Sequence, residues 1–172
     1  MTATGRPARA DDLETRATPA DHEDLRLWLR LMTVHKLIDG EVRRRLRSGF
    51  AMSLPRFDLM AQLERSPAGI RMGALSQRLM VTNGNVTQLA DQLEREGLVE
   101  RAADPRNRRA SLIRLTAKGR RRFDVVAKAN EGWIVELFAG LSRLDKRRLF
   151  AALAKHKAAL SPPGRGFTRP GS

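Results

Sequence analysis

The sequence predicts a mainly α-helical protein built on a winged helix-turn-helix, with additional N- and C-terminal helices that dimerise. Three observations carry the prediction. Residues 72–80 and the run TNGNVTQLADQLERE from Thr82 both have helical spacing and lie a residue or two apart. Two strand-like runs, LVERAA and SLIRLT, follow at once and enclose the polar, basic hairpin DPRNRR. Longer apolar-periodic helices flank this block on both sides.

Taken in order, residues 1–20 mix Thr, Ala, Pro, Arg and Asp without an apolar period and are expected to be a disordered extension. The folded domain spans residues 21–160. A long first helix covers residues 21–47, where Leu25, Trp28, Met32, Leu37, Ile38, Val42 and Leu46 recur at helical spacing. Its first half is apolar nearly all round, as a helix packed on more than one side requires. Ser53 caps a second helix with Pro55 in its first turn, and Phe57, Leu59, Met60 and Leu63 form its buried stripe up to Pro67 and Gly69. A short extended stretch over residues 69–71 leads into the third helix, with Leu75 and Leu79 one turn apart. Thr82 caps the fourth, and Gly97 ends it. Thr116 caps a fifth helix ending near Gly140, and Ser142 with Asp145 opens a sixth whose stripe is Leu149, Leu153 and Leu160. Residues 161–172 (SPPGRGFTRPGS) read as a disordered tail. The lobe expected to carry function covers about 53–116, and the dimerisation helices about 21–48 and 117–160.

Composition narrows the chemistry. At 172 residues with 41% hydrophobic side chains, one ordinary core needs no staple. Cysteine is absent, which excludes disulfides, thiolate metal sites and thiol-based redox sensing. No apolar run approaches the ~18 residues that span a bilayer, and the first 20 residues lack the apolar middle of a signal peptide, so a soluble cytoplasmic protein is expected. The three histidines His22, His35 and His156 lie far apart in sequence, so neither a metal nor another cofactor is expected. Without a Gly-rich phosphate loop or a Ser/His/Asp arrangement, the chain does not read as an enzyme. Thirty-three Lys and Arg against 19 Asp and Glu leave a formal charge of +14, which draws a polyanion at long range.

The location of that charge points to double-stranded DNA. On a helical wheel Val86, Leu89, Ala90 and Leu93 cluster on one side of the fourth helix, with Gly84, Thr87, Gln88, Asp91 and Arg95 on the other. Near the helix start Asn83, Asn85, Thr87 and Gln88 can read base edges or bond phosphates, and Gly84 lets the backbone approach a groove. From Arg101 to Arg122 there are nine cations and one acid, Asp104. Arg106, Arg108 and Arg109 occupy the hairpin, where Asp104 can pair with Arg106 or Arg109 and leave another arginine for a minor groove. Either element alone reads equally well as a solvated surface; side by side they favour recognition helix and wing.

These motifs resemble those of the MarR (multiple antibiotic resistance regulator) family. Its Leu-Glu-x-x-Gly-Leu-Val pattern is matched by Leu93, Glu94, Gly97, Leu98 and Val99, its wing motif Asp-x-Arg-x-x-Arg by Asp104, Arg106 and Arg109, and its Leu-Thr-x-x-Gly by Leu115, Thr116 and Gly119. The resemblance spans roughly residues 25–160. It implies a homodimer joined by the first and last helices, with recognition helices in successive major grooves and half-sites about 10 bp apart. It further implies a transcriptional regulator, most often a repressor released from a palindromic promoter site by a small aromatic ligand, here an aromatic carboxylate or its thioester. Many relatives carry Arg where Gln88 stands, so an amide contact, for instance to adenine, is expected there. Ligand contacts are expected from Trp28, His35 and Asp58, Trp28 stacking on a ring and His35 bonding a carboxylate or hydroxyl. Trp28 and Asp58 resemble residues of relatives that sense urate-like ligands. The competing reading is that Trp28 and His35 simply pack the dimer interface. A non-regulatory, architectural DNA-binding protein is the alternative function.

Overall fold

A computed structural model describes residues 22–104 and 107–160, with the backbone but not the side chains of Asn83 and residues 107–110. The expected disordered ends at 1–20 and 161–172, and Arg106, lie outside the described residues. The described residues form six helices and three strands: α1 (Glu23–Phe50), α2 (Leu54–Glu64), β1 (Ile70–Arg71), α3 (Met72–Leu79), α4 (Asn83–Arg95), β2 (Val99–Asp104), β3 (Asn107–Leu115), α5 (Ala117–Leu137) and α6 (Arg143–Leu160). This is the mainly helical winged helix-turn-helix that the spacing predicts. The chain divides into two compact units between Glu131 and Gly132.

In the first unit the buried residues follow the periodicities. Phe57, Leu59, Met60 and Leu63 of α2, Leu75 of α3, and Val86, Ala90 and Leu93 of α4 are buried, together with Val42 and Leu46 of α1 and Phe123 and Val126 of α5. Phe57 stacks on Phe123 with ring centroids 5.6 Å apart. Burying this apolar face is what drives the short helices together, since isolated helices of this length are marginal in water. α1 runs three residues beyond the expected Arg47. It ends with Ala51 in the left-handed region (φ 50°), whose N–H donates to Arg47 O. Along its C-terminal half Arg43 pairs with Asp39 at 2.6 Å, and hydrogen bonds from Arg44 and Arg45 hold the Glu41 carboxyl at about 2.

The sheet order is β1-β3-β2, antiparallel throughout, with Ile70 opposite Ile113 and Val99 opposite Leu115. The strands extend further into the basic hairpin than LVERAA and SLIRLT suggest: ladder pairing continues to Asp104 opposite Asn107, with a register shift between Ala103 and Asp104. Backbone pairing there overrides the low strand propensity of Asp, Asn and Arg.

The start of α5 is pinned to the sheet. Thr116 N–H donates to Leu98 O at 3.1 Å, its Oγ1 donates to Gly97 O at 2.7 Å, and Gly119 N–H donates back to that Oγ1 at 2.9 Å. In the second unit, Ser142 Oγ accepts from Asp145 N at 3.1 Å, the cap expected for α6. Within that unit Leu149, Phe150, Leu153 and Leu160 are left exposed.

Candidate nucleic-acid interface

The helix-turn-helix is built from α3 and α4. α3 stops at Met80, a left-handed residue (φ 55°), and Val81 N–H returns to Ser76 O at 3.2 Å. That tight reversal lets Thr82 start α4 at once, its Oγ1 accepting from Asn85 N. With Val86, Ala90 and Leu93 at 0% exposure, the rotation of α4 about its own axis is fixed, and Gly84, Asn85, Thr87 and Gln88 are left exposed on the opposite side. Of the five contact residues expected on this helix, only Asn83 has a side chain outside the described residues. Met80, 87% exposed beside the helix start, is an apolar neighbour of this face that a polar-residue search misses. It can meet a thymine methyl.

Further along α4 the free face is tied down. Arg101 of β2 bonds both Asp91 and Glu94, which ties the free face of α4 to the hairpin. The Asp91 bond, with the Glu94 charge, holds the Arg101 proton more firmly than usual. Arg101 therefore does not belong with the cations awaiting a polyanion. The same correction applies to Arg114, paired with Glu100 at 2.7 Å, and to Arg120, 3.8 Å from Glu64. Three cations of the basic run are thus matched by acids on neighbouring elements, which a one-dimensional charge count cannot see.

Asp104 is buried, so it supports the wing and does not face solvent. Its Oδ2 accepts from Nε and Nη2 of Arg71 at 3.0 and 2.6 Å. Arg71 lies opposite Leu112 of β3, which in turn faces Ala102 of β2, so its side chain reaches over β3 to Asp104. Arg71 was not legible in sequence: a lone cation in a two-residue strand carries no pattern. The expected pairing of Asp104 with Arg106 or Arg109, and the groove contacts of Arg106, Arg108 and Arg109, fall outside the described residues and side chains.

The three candidate ligand contacts lie on two helices. Trp28 and His35 are exposed on α1, and Asp58 is on α2 within the fields of Asp39 and Arg43. His35 is one turn from Asp39, whereas Trp28 is three turns away, about 16 Å along the axis. Partial withdrawal from water raises the Asp58 carboxyl above the usual carboxylate range, with Arg43 opposing and Asp39 adding to the shift. A raised folded value means that ionised Asp58 disfavours the native state above that value, and the penalty fades as pH falls through it. Asp58→Asn is therefore expected to be as stable as the parent or slightly more so at neutral pH, by less than about 1 kcal/mol because water still reaches the carboxyl. Urea melts at pH 7 and pH 4 check this, the difference between the proteins shrinking at the lower pH. Among the described residues no group of three or more His, Asp or Glu is placed to hold a metal ion, and no helix is long and apolar enough to cross a membrane.

Comparison with known proteins bears on the same elements. The sequence profile described as the MarR family matches residues 52–111, from the start of α2 to the wing. A MarR family transcriptional regulator from Silicibacter pomeroyi is 33% identical, with a TM-score of 0.70 over 84% of this chain and 100% of that one. An uncharacterized HTH-type transcriptional regulator of Bacillus subtilis (strain 168), YdgJ, is 29% identical over 133 residues, covering 77% of this chain and 78% of its own length. Another curated relative is matched over 55% of its length, so there the chain spans about half of the protein. CouR from Rhodococcus jostii RHA1, solved bound to p-coumaroyl-CoA, shares the fold at 20% identity, with a TM-score of 0.69 over 83% of this chain and 95% of that one.

Proposed function

Since the chain belongs to the MarR family of winged helix-turn-helix, DNA-binding transcriptional regulators, we propose that it acts in the cytoplasm as a homodimeric repressor on a pseudo-palindromic promoter site. The observation that carries this reading is α4 itself: one side buried at Val86, Ala90 and Leu93, the other presenting Gly84, Asn85, Thr87 and Gln88 beside a basic hairpin. These residues, with Asn83, read base edges, while Arg106, Arg108 and Arg109 of the wing meet backbone and minor groove. Asp104 holds the wing in place from inside.

The lobe over residues 53–116 does the reading and the flanking helices, about 21–48 and 117–160, do the pairing. Leu25, Leu27, Trp28, Val34 and Leu37 of α1 are exposed in the single chain, as are Leu149, Phe150 and Leu153 of α6. That much apolar surface on two helices fits burial against a second copy. A small aromatic ligand, a carboxylate or its thioester, then favours a dimer whose recognition helices no longer match the half-site spacing, and repression falls by a population shift. CouR, bound to an aromatic CoA thioester, lends chemistry to this reading. In it Trp28 stacks on the ring and His35 and Asp58 bond its polar groups.

Fluorescence anisotropy with the DNA upstream of its own gene and a scrambled duplex of equal length tests the proposal. A preference of about 100-fold or more at near-physiological salt is expected. Equal, weak and steeply salt-dependent binding to several promoter fragments and to scrambled DNA would instead favour the architectural reading. Replacing Gln88 by Arg is expected to change which base is preferred at one position of each half-site, by about 1–3 kcal/mol of discrimination. A uniform change across sequences would make Gln88 a backbone contact.

A further inference from the structure

We propose that the cleft between the end of α4 and the start of α5 is a phosphate-binding site, distinct from both the base-reading face and the wing. The cleft has a volume of about 710 Å³ and is lined by Arg95, Glu96, Leu98, Lys118, Arg121 and Arg122. Four cations thus surround one carboxylate, and that carboxylate is already matched by Arg56 of α2. Two of the cations hold the fold: Lys118 Nζ donates to Glu96 O at 2.7 Å, and Arg122, with its guanidinium 5.6 Å from the centre of the Phe50 ring, donates to Phe50 O. Carbonyl partners leave their positive charge uncompensated. The side chains of Arg95 and Arg121 are exposed and make no ion pair or hydrogen bond with the other described residues.

The chemistry favours phosphate over the aromatic anion of the ligand reading. Two free guanidinium forks beside an ammonium group suit a multi-oxygen, doubly charged anion, and the positive partial charge of the α5 start offsets the negative one of the α4 end. Leu98, the one apolar lining residue, is itself buried, so a ring would meet only the stems of the charged side chains. Two sources supply such a phosphate. Arg95 lies on the same side of α4 as Gly84 and Gln88, about 16 Å further along than the first and about 10 Å beyond the second, a reach comparable with the roughly 12 Å width of a major groove, which puts the flanking DNA backbone within range. The other source is a free phosphate-bearing small molecule.

The test uses the full chain carrying Arg95→Gln with Arg121→Gln, which spares Lys118 and Arg122 and their structural carbonyls. Arg143→Gln with Arg147→Gln on α6 removes the same charge elsewhere and serves as the control. Sodium pyrophosphate is titrated by calorimetry in phosphate-free buffer, and a long upstream duplex is titrated by anisotropy across a salt series. A small-molecule source gives pyrophosphate binding that falls about tenfold or more in the cleft variant and not in the control. A backbone source gives a salt slope shallower by about 1–2 in the cleft variant alone, roughly 0.9 per phosphate lost. If the cleft variant matches the control in both arms, the cations only add to the general field and the site is discarded. The pyrophosphate arm requires no operator, so its outcome stands apart from that of the repressor reading.

Discussion

Gly119→Ala is expected to destabilise the DNA-binding lobe by about 3 kcal/mol or more, beyond the usual range for an added methyl group. A Cβ built on Gly119 would stand 1.8 Å from Leu98 O and 2.8 Å from its carbonyl carbon. Both are backbone atoms, so no side-chain rotation relieves the clash. Leu98 O also accepts from Thr116 N–H, and Thr116 Oγ1 bonds Gly97 O and receives the Gly119 N–H. Moving α5 outward would therefore break the bonds that seat it on β2 and open the contact between Phe57 and Phe123. Thermal melts should show a loss of roughly 10 °C at this chain length. Gly84→Ala provides the contrast. Nothing lies within 4 Å of its Cβ position, so stability should hold or rise by up to about 1 kcal/mol, while DNA affinity falls if the backbone must approach a groove. A Gly119→Ala protein that melts with the parent would mean that α5 does not sit on Leu98 in solution.

The second large effect is expected at Arg71. Arg71→Ala leaves the carboxylate of Asp104 buried without the two donors that reach it across β3. Removing one partner of a buried charge can cost several kcal/mol, but Arg71 is itself 54% exposed, so water can partly replace it. A loss of about 1–3 kcal/mol in a urea melt is therefore expected. Operator affinity should fall along with it, because Asp104 sits at the register shift from which the hairpin leaves the sheet. Arg71→Ala and Asp104→Ala combined should cost less than the sum of the two, with a coupling of at least about 0.5–1 kcal/mol. Additive losses would show that each residue acts through other partners.

How much of this was legible beforehand depended on whether the information was local. The stripes of α2 and α4, the Thr82 and Ser142 caps, and the Gly97 stop (φ 68°) rest on periodicity or on a single residue's backbone preference, and each occupies its expected place. The hairpin ladder ran past its expected ends because strand pairing depends on the partner strand as much as on the residues themselves. Arg71 and the dual bond of Arg101 escaped notice for the same reason. Their partners stand 33 residues away in one case, and 7 and 10 residues away in the other.

The sequence by itself determined the fold class, the order of its elements and which side of α4 is free, since periods of 3.6 and 2 and the capping residues act within a few residues of chain. Only the tertiary structure decided which cations are spoken for, why Gly119 must lack a side chain, and where unmatched charge collects between α4 and α5. Those outcomes follow from distances between segments remote in sequence, set by how the buried faces of α2, α4 and α5 pack together.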